Sequence, residues 1–161
     1  VDVPTLIHFY SPATGVSLEL PPGFENGFSD ERSAQYEWRD DEDEEVLARL
    51  VVLVFAATDA DAGEAAVRTV VEAFADADGD LIEERVVRID DCPTATVVVH
   101  LPYGVKGSTP ITGPGSADVL VHFTAAAFDG AIRTISGFAP WVERDRWTAI
   151  YDEAVGSCRF L

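Results

Sequence analysis

Hydrophobic and polar residues change period several times along this chain, and the changes divide it into elements. Leu6 to Tyr10 is a short apolar run, closed by a turn over Pro12-Ala-Thr-Gly15 in which Gly15 suits a positive φ. Val16 to Leu20 alternates apolar and polar, the pattern of a half-buried strand, until Pro21-Pro22-Gly23 stops it. Ser33 to Arg39 alternates again, with Ala34, Tyr36 and Trp38 on one face. Leu47 to Ala57 is almost continuously apolar, which predicts a strand covered on both faces. The six acids between these two segments, Asp40 to Glu45, then form the solvated tip of a hairpin.

The period becomes helical after Thr58. Asp61 and Glu64 stand in the capping-box relation, and Ala66, Val67, Val70, Val71 and Phe74 make one apolar stripe. Asp76-Ala-Asp-Gly79-Asp ends this helix. Leu81 to Ile89 is a heavily charged strand suited to a sheet edge, and Thr94 to Leu101 is a β-branched one. Val119–Phe123 and Ile132–Phe138 pair through a turn at Asp129-Gly130. Pro140 introduces a closing helix whose stripe is Trp147, Ile150, Tyr151, Ala154, Val155 and Cys158, with Arg146, Asp152 and Glu153 on the wet side. Gly156 suits its end. The order of four strands, helix, four strands, helix predicts a single α+β domain. Its antiparallel sheet has about 6–8 strands, and two amphipathic helices pack on it.

Composition changes the picture in one respect. At 161 residues and 47% apolar content the chain is an ordinary single domain with a substantial core. Its charge is not ordinary: 11 Lys plus Arg against 29 Asp plus Glu give −18, and Lys106 is the chain's one lysine. A field of that sign repels phosphate backbones, so nucleic-acid binding is excluded as an expectation. The acids are spread along the chain, and a proteome-wide bias such as a high-salt cytoplasm accounts for them better than a basic partner or cation does. No apolar run approaches the ~18–20 residues of a membrane span. The start, Val-Asp-Val, shows no charged-then-apolar leader, and the expected location is the cytoplasm, or the envelope if an upstream segment is removed. Cys92 and Cys158 lie outside any Cys-x-x-Cys spacing; they are two core thiols, or a pair in an oxidising compartment.

The motifs that carry chemistry are missing. No Gly-x-Ser-x-Gly elbow occurs, and Gly104 to Thr109 and Gly113-Pro-Gly115 lack the strand–turn–helix setting of a phosphate or dinucleotide loop. Asp76-x-Asp78-x-Asp80 has Leu81 and Val87 where a calcium loop needs Gly and Glu. His8, His100 and His122 all fall in strands, with no local metal-ligand spacing. Asp118 and His122 are four apart on one strand, roughly 13 Å, too far for a dyad. A histidine satisfied within a sheet face is the simpler reading of His122. No cofactor or metal is expected.

Two stretches carry a resemblance. Phe9-Tyr-Ser-Pro12 running through Val16-Ser-Leu-Glu-Leu-Pro-Pro-Gly-Phe24, together with Ile150 and the closing Ser157-Cys-Arg-Phe-Leu161, resembles the two ends of the PsbP-like/Mog fold group. That group takes in photosystem PsbP proteins, the Ran-binding Mog protein and LpqN-type bacterial lipoproteins, although a lipidated cysteine near the start is lacking here. The resemblance implies an α/β/α sandwich and a non-enzymatic binding or accessory role. It transfers no active site.

The long Gly/Pro-rich stretch from Pro102 to Ser116 is the expected contact region, because it presents Tyr103 and the lone Lys106 on a rim. The expected function is a non-catalytic domain that engages a protein partner through this loop or through a sheet face. A small-molecule binder or slow enzyme is the alternative. It would use a gap between the sheet and the closing helix, lined by Trp141, Trp147, Tyr151 and His122.

Overall fold

The computed structural model describes residues 5–39, 46–56, 65, 68–69, 72, 80–89, 92–101, 118–128 and 130–160. Among them are ten strands and one α-helix. The strands are β1 (Ile7–Ser11), β2 (Val16–Leu20), β3 (Phe24–Ser29), β4 (Ser33–Arg39), β5 (Val46–Ala56), β6 (Asp80–Ile89), β7 (Cys92–Leu101), β8 (Val119–Phe128), β9 (Ala131–Pro140) and β10 (Arg159–Phe160). A 3₁₀ turn, Trp141–Glu143, leads into α1, Arg144–Ser157. Every strand pairing is antiparallel.

The strands make two sheets rather than the single one expected. Seven run in the order β3-β4-β5-β9-β8-β7-β6, and three in the order β1-β2-β10. The charged strand β6 takes the edge position that its sequence suggested. The small sheet and α1 lie together on one face of the large sheet. They share a core with Leu18 and Leu20 from β2, Leu50 and Val52 from β5, Leu120 from β8, and Trp147 and Tyr151 from α1. A second apolar cluster, built on Val97, Val99, Val121 and Phe123, occupies the opposite face of β7 and β8. β8 is therefore the strand buried on both faces along most of its length. β5, expected to be covered on both sides, instead alternates: Ala48, Leu50 and Val52 are buried while Val51 and Leu53 are half-exposed.

Turn chemistry follows the sequence closely. Gly15 and Gly130 adopt φ of 68° and 74°, and Gly15 N–H donates to the Ser11 carbonyl at 2.9 Å, closing the first hairpin. β4 and β5 pair from Arg39↔Val46 inward, so the acid run does join two hairpin strands, although Asp40–Glu45 themselves lie outside the described residues.

The first expected helix lies mostly outside them too. Ala65, Arg68, Thr69 and Glu72 carry helical backbone and are exposed.

The closing helix buries Trp147, Tyr151, Ala154 and Val155, as its stripe predicts, and Ile150 is half-buried. Cys158 comes one residue past the helix, wholly buried and a free thiol. Asp152 departs from expectation: it is not on the wet side but turns down toward the sheet.

Candidate functional site

Strand register sets which side chains meet beneath α1. One cross-strand row on the helix-facing side runs Tyr36, Leu50, Gly137, His122 and Val98. His100 pairs with Leu120 in the next row of the same face, so the two histidines are diagonal neighbours under the helix. Each finds a carboxylate from a different element. His122 Nε2 lies 2.7 Å from Asp152 Oδ1 on α1, and His100 Nε2 lies 2.8 Å from Asp118 Oδ2 just before β8. The Asp118–His122 pair judged too distant does not form. Two His–Asp pairs nevertheless exist, in combinations that local spacing could not reveal.

Around His122 the packing is tight. Its side chain is 1% exposed, and its ring sits 5.9 Å from that of Tyr151. The Tyr151 ring in turn presses on Gly137, where an added Cβ would lie 2.5 Å from it; no residue with a side chain fits that position without a shift. The Tyr151 hydroxyl donates to the Phe138 carbonyl at 2.5 Å, with the Arg49 carbonyl 3.4 Å away. Burial pushes this phenol's pKa far up, so it stays protonated and keeps donating.

Asp152 is the hub of the cluster. It accepts from His122 and from the Arg85 guanidinium of edge strand β6, whose other terminal nitrogen is 3.5 Å from Glu83. Burial alone would raise the Asp152 carboxyl. The His122 hydrogen bond and charge, with the Arg85 charge, outweigh it and hold the group below the usual carboxylate range. An ionised carboxylate only accepts, so His122 Nε2 carries the proton. Among the described residues, His122 Nδ1 is buried without a hydrogen-bond partner. The imidazole is enclosed. It ties the helix to β8 while Arg85 ties the same carboxylate to β6.

The second pair lies at the end of the sheet. His100 stacks on Trp141 with centroids 4.1 Å apart and planes at 21°, and the Arg144 guanidinium lies over the Trp141 ring, 4.8 Å from its centroid. Asp80 approaches His100 Nδ1 to 3.9 Å. Trp141 N–H donates to the Asp118 carbonyl at 2.9 Å, and the neighbouring Val142 is 78% exposed. Trp141, expected beside His122, stacks on His100 and packs against the edge of the core that holds Trp147 and Tyr151. Of the expected pocket residues, His122, Tyr151 and Trp147 do come together, the last two with centroids 5.9 Å apart. All three are buried, with their rings in contact along the row. Tyr103 and Lys106 lie outside the described residues. Asp152, Arg85, His100 and Asp118 were missed as site residues. The long connection between β7 and β8 hid the Leu101↔Val119 register that brings His100 to Asp118.

Among the described residues, no group of three or more His, Cys, Asp or Glu side chains is arranged to hold a metal ion. No described helix is long and apolar enough to cross a membrane.

No protein-family model and no curated protein matches the chain. Solved structures do match its fold. The Ran-binding protein Mog1p of Saccharomyces cerevisiae superposes with a TM-score of 0.66 at 14% identity, over 98% of this chain and 96% of Mog1p. Cyanobacterial PsbP (CyanoP) from Synechocystis sp. PCC 6803 gives 0.64 at 14% identity, over 100% and 95%. A Bacteroides thetaiotaomicron structure gives 0.58 at 13% identity over 96% of this chain, which spans only 48% of that protein's length. The chain has the fold of the PsbP-like/Mog group, a sheet-dominated antiparallel architecture closed by a C-terminal helix.

Proposed function

We propose that this chain is a non-catalytic binding or accessory domain. It meets a protein partner at the end of the large sheet where residues 102–116 connect β7 to β8. The observation that carries this reading is the filled interior: His122, Trp147 and Tyr151, which would have lined an enzyme's pocket, are at most 1% exposed and interlocked. The likeness to Mog1p, described as a Ran-binding protein, supports a protein partner over a small molecule. At the same sheet end, the exposed Val142 and the His100–Trp141–Arg144 stack flank the roots of the segment that holds Tyr103 and Lys106. Exposed apolar side chains beside rigid aromatic ones are what interface cores are made from. The net charge of −18 argues against nucleic acid as the partner. The free, buried Cys158 fits a reducing compartment, and we assign the domain to the cytoplasm on that ground. We also retain the α/β/α arrangement, with the first expected helix on the outer face. The helical backbone at Ala65, Arg68, Thr69 and Glu72 supports it.

Native mass spectrometry on protein purified gently from its own host tests the proposal. The expected result is a co-purifying polypeptide that is lost from a Tyr103→Ala/Val142→Asp variant whose thermal melt is unchanged. A small adduct released on denaturation, with no polypeptide, would instead favour a ligand-binding protein.

A further inference from the structure

Edge strand β3 carries the chain's only asparagine, Asn26, and glycine follows it directly. The pairing of β3 with β4 breaks at that point. Asn26 pairs with Tyr36 and Ser29 with Ala34, so Gly27 and Phe28 together stand opposite the single Gln35. This is a β-bulge, in which one residue is left out of the ladder. Among the described residues β4 is the sole neighbour of β3, and none braces the bulge from its other side. Asn26 is exposed, its carboxamide has no partner among the described residues, and Phe28 beside it is 65% exposed.

We propose that Asn26 is a site of spontaneous backbone modification in the folded protein. The Gly27 amide nitrogen loses its proton to solvent base and attacks Asn26 Cγ. The new C–N bond closes a five-membered succinimide, and the Cγ–Nδ2 bond breaks to release ammonia. Water then opens the ring. Opening at Cγ leaves aspartate at position 26; opening at the main-chain carbonyl leaves isoaspartate, with the chain routed through the former side chain. The ring demands backbone torsions that a regular ladder forbids. A residue without Cβ, released from pairing by a bulge at a sheet edge, can reach them. The product carries one more negative charge beside Glu25 and Glu37. In its isoaspartyl form it lengthens the main chain by a methylene opposite buried Tyr36. The modification therefore alters the outer strand of the large sheet beside Tyr36, at the margin of the helix-facing core.

The experiment incubates the folded protein at mildly alkaline pH beside a capped Phe24–Ser29 peptide. Both are followed by peptide mass mapping, released ammonia and isoaspartate detection. The expected result is the mass gain of an NH2-to-OH exchange, confined to the fragment holding Asn26. It should proceed at a rate comparable with the free peptide and be absent from an Asn26→Gln variant, whose larger ring closes far more slowly. Conversion slowed by the roughly 10³-fold or more that reaction through global unfolding imposes would show that the strand protects the site, and would overturn the proposal. So would an equal mass gain in Asn26→Gln.

Discussion

Gly137 and Gly156 have opposite reasons for being glycine. A Cβ at Gly137 would stand 2.5 Å from the Tyr151 ring, whereas one at Gly156 meets nothing within 4 Å. Gly137→Ala should cost about 1–3 kcal/mol, the usual range for overpacking a tight core. Gly156→Ala should be neutral or stabilising by about 0.5–1 kcal/mol, because it removes an unfolded-state entropy cost within a helix. Denaturant titrations of both variants check the contrast, and similar losses in the two would mean that Tyr151 does not pack where described. Asp152 makes a prediction with a sign. Its folded carboxyl sits below its unfolded value, so its contribution to stability is complete above the ordinary carboxylate range. That contribution is lost as the pH falls through the folded value. Asp152→Asn should therefore flatten the acid limb of the stability profile more than a surface Asp→Asn control, with chemical denaturation at a series of pH values as the readout. Burial pushes the Cys158 thiol up to about 12, so it should resist thiol reagents at neutral pH in the native state and react once the chain unfolds.

For the elements, the closing helix is the clearest case. Trp147 is held edge-on by Phe24 at 6.1 Å and by Trp38 at 5.5 Å, and Gly23, at φ 112°, makes room for the Trp38 ring. Trp147→Ala should cost about 3–5 kcal/mol. A thermal melt matching wild type would show that the helix does not dock through this stripe. Much at this scale was legible in the sequence, because period alone reports which face of a strand or helix is apolar. The strands that went unread explain the limit. Phe24–Ser29 shows no clean alternation, and Asn26-Gly27, a dipeptide common in hairpin turns, serves here as a bulge within β3. β10 is two residues long and is a strand only because Arg159 and Phe160 pair with Ser17 and Val16. The candidate site was harder still. Period could place His122 on a face and Asp152 on a helix, but only the packing of α1 across β8 and β6 makes them partners. Asp152 read as solvent-facing because a helical wheel knows the stripe and not the polar neighbours at its margin.

The molecule as a whole carries −18, and charge of one sign opposes compaction. Added salt should therefore raise the melting temperature, since at 0.1 M repulsion between surface charges more than a Debye length of about 10 Å apart is largely screened. Neutralising Asp40–Glu45 should reproduce part of that gain at low salt and leave stability little changed at moderate salt. A large loss on neutralisation would show that the acid run holds something structural. The small sheet has a further consequence, in time rather than in space. β2 lies between β1 and β10, and Glu19 N–H donates to Ser157 Oγ at 2.8 Å. Residues near the start of the chain thus wait for residues 157–160 before their sheet is complete. During synthesis β1 and β2 can form only a hairpin, which is marginal alone in water, until the closing helix has been made. Pairings this distant in sequence pay loop-closure entropy before they return any contact, and they slow folding. The small sheet is therefore fastened last, where β10 joins β2.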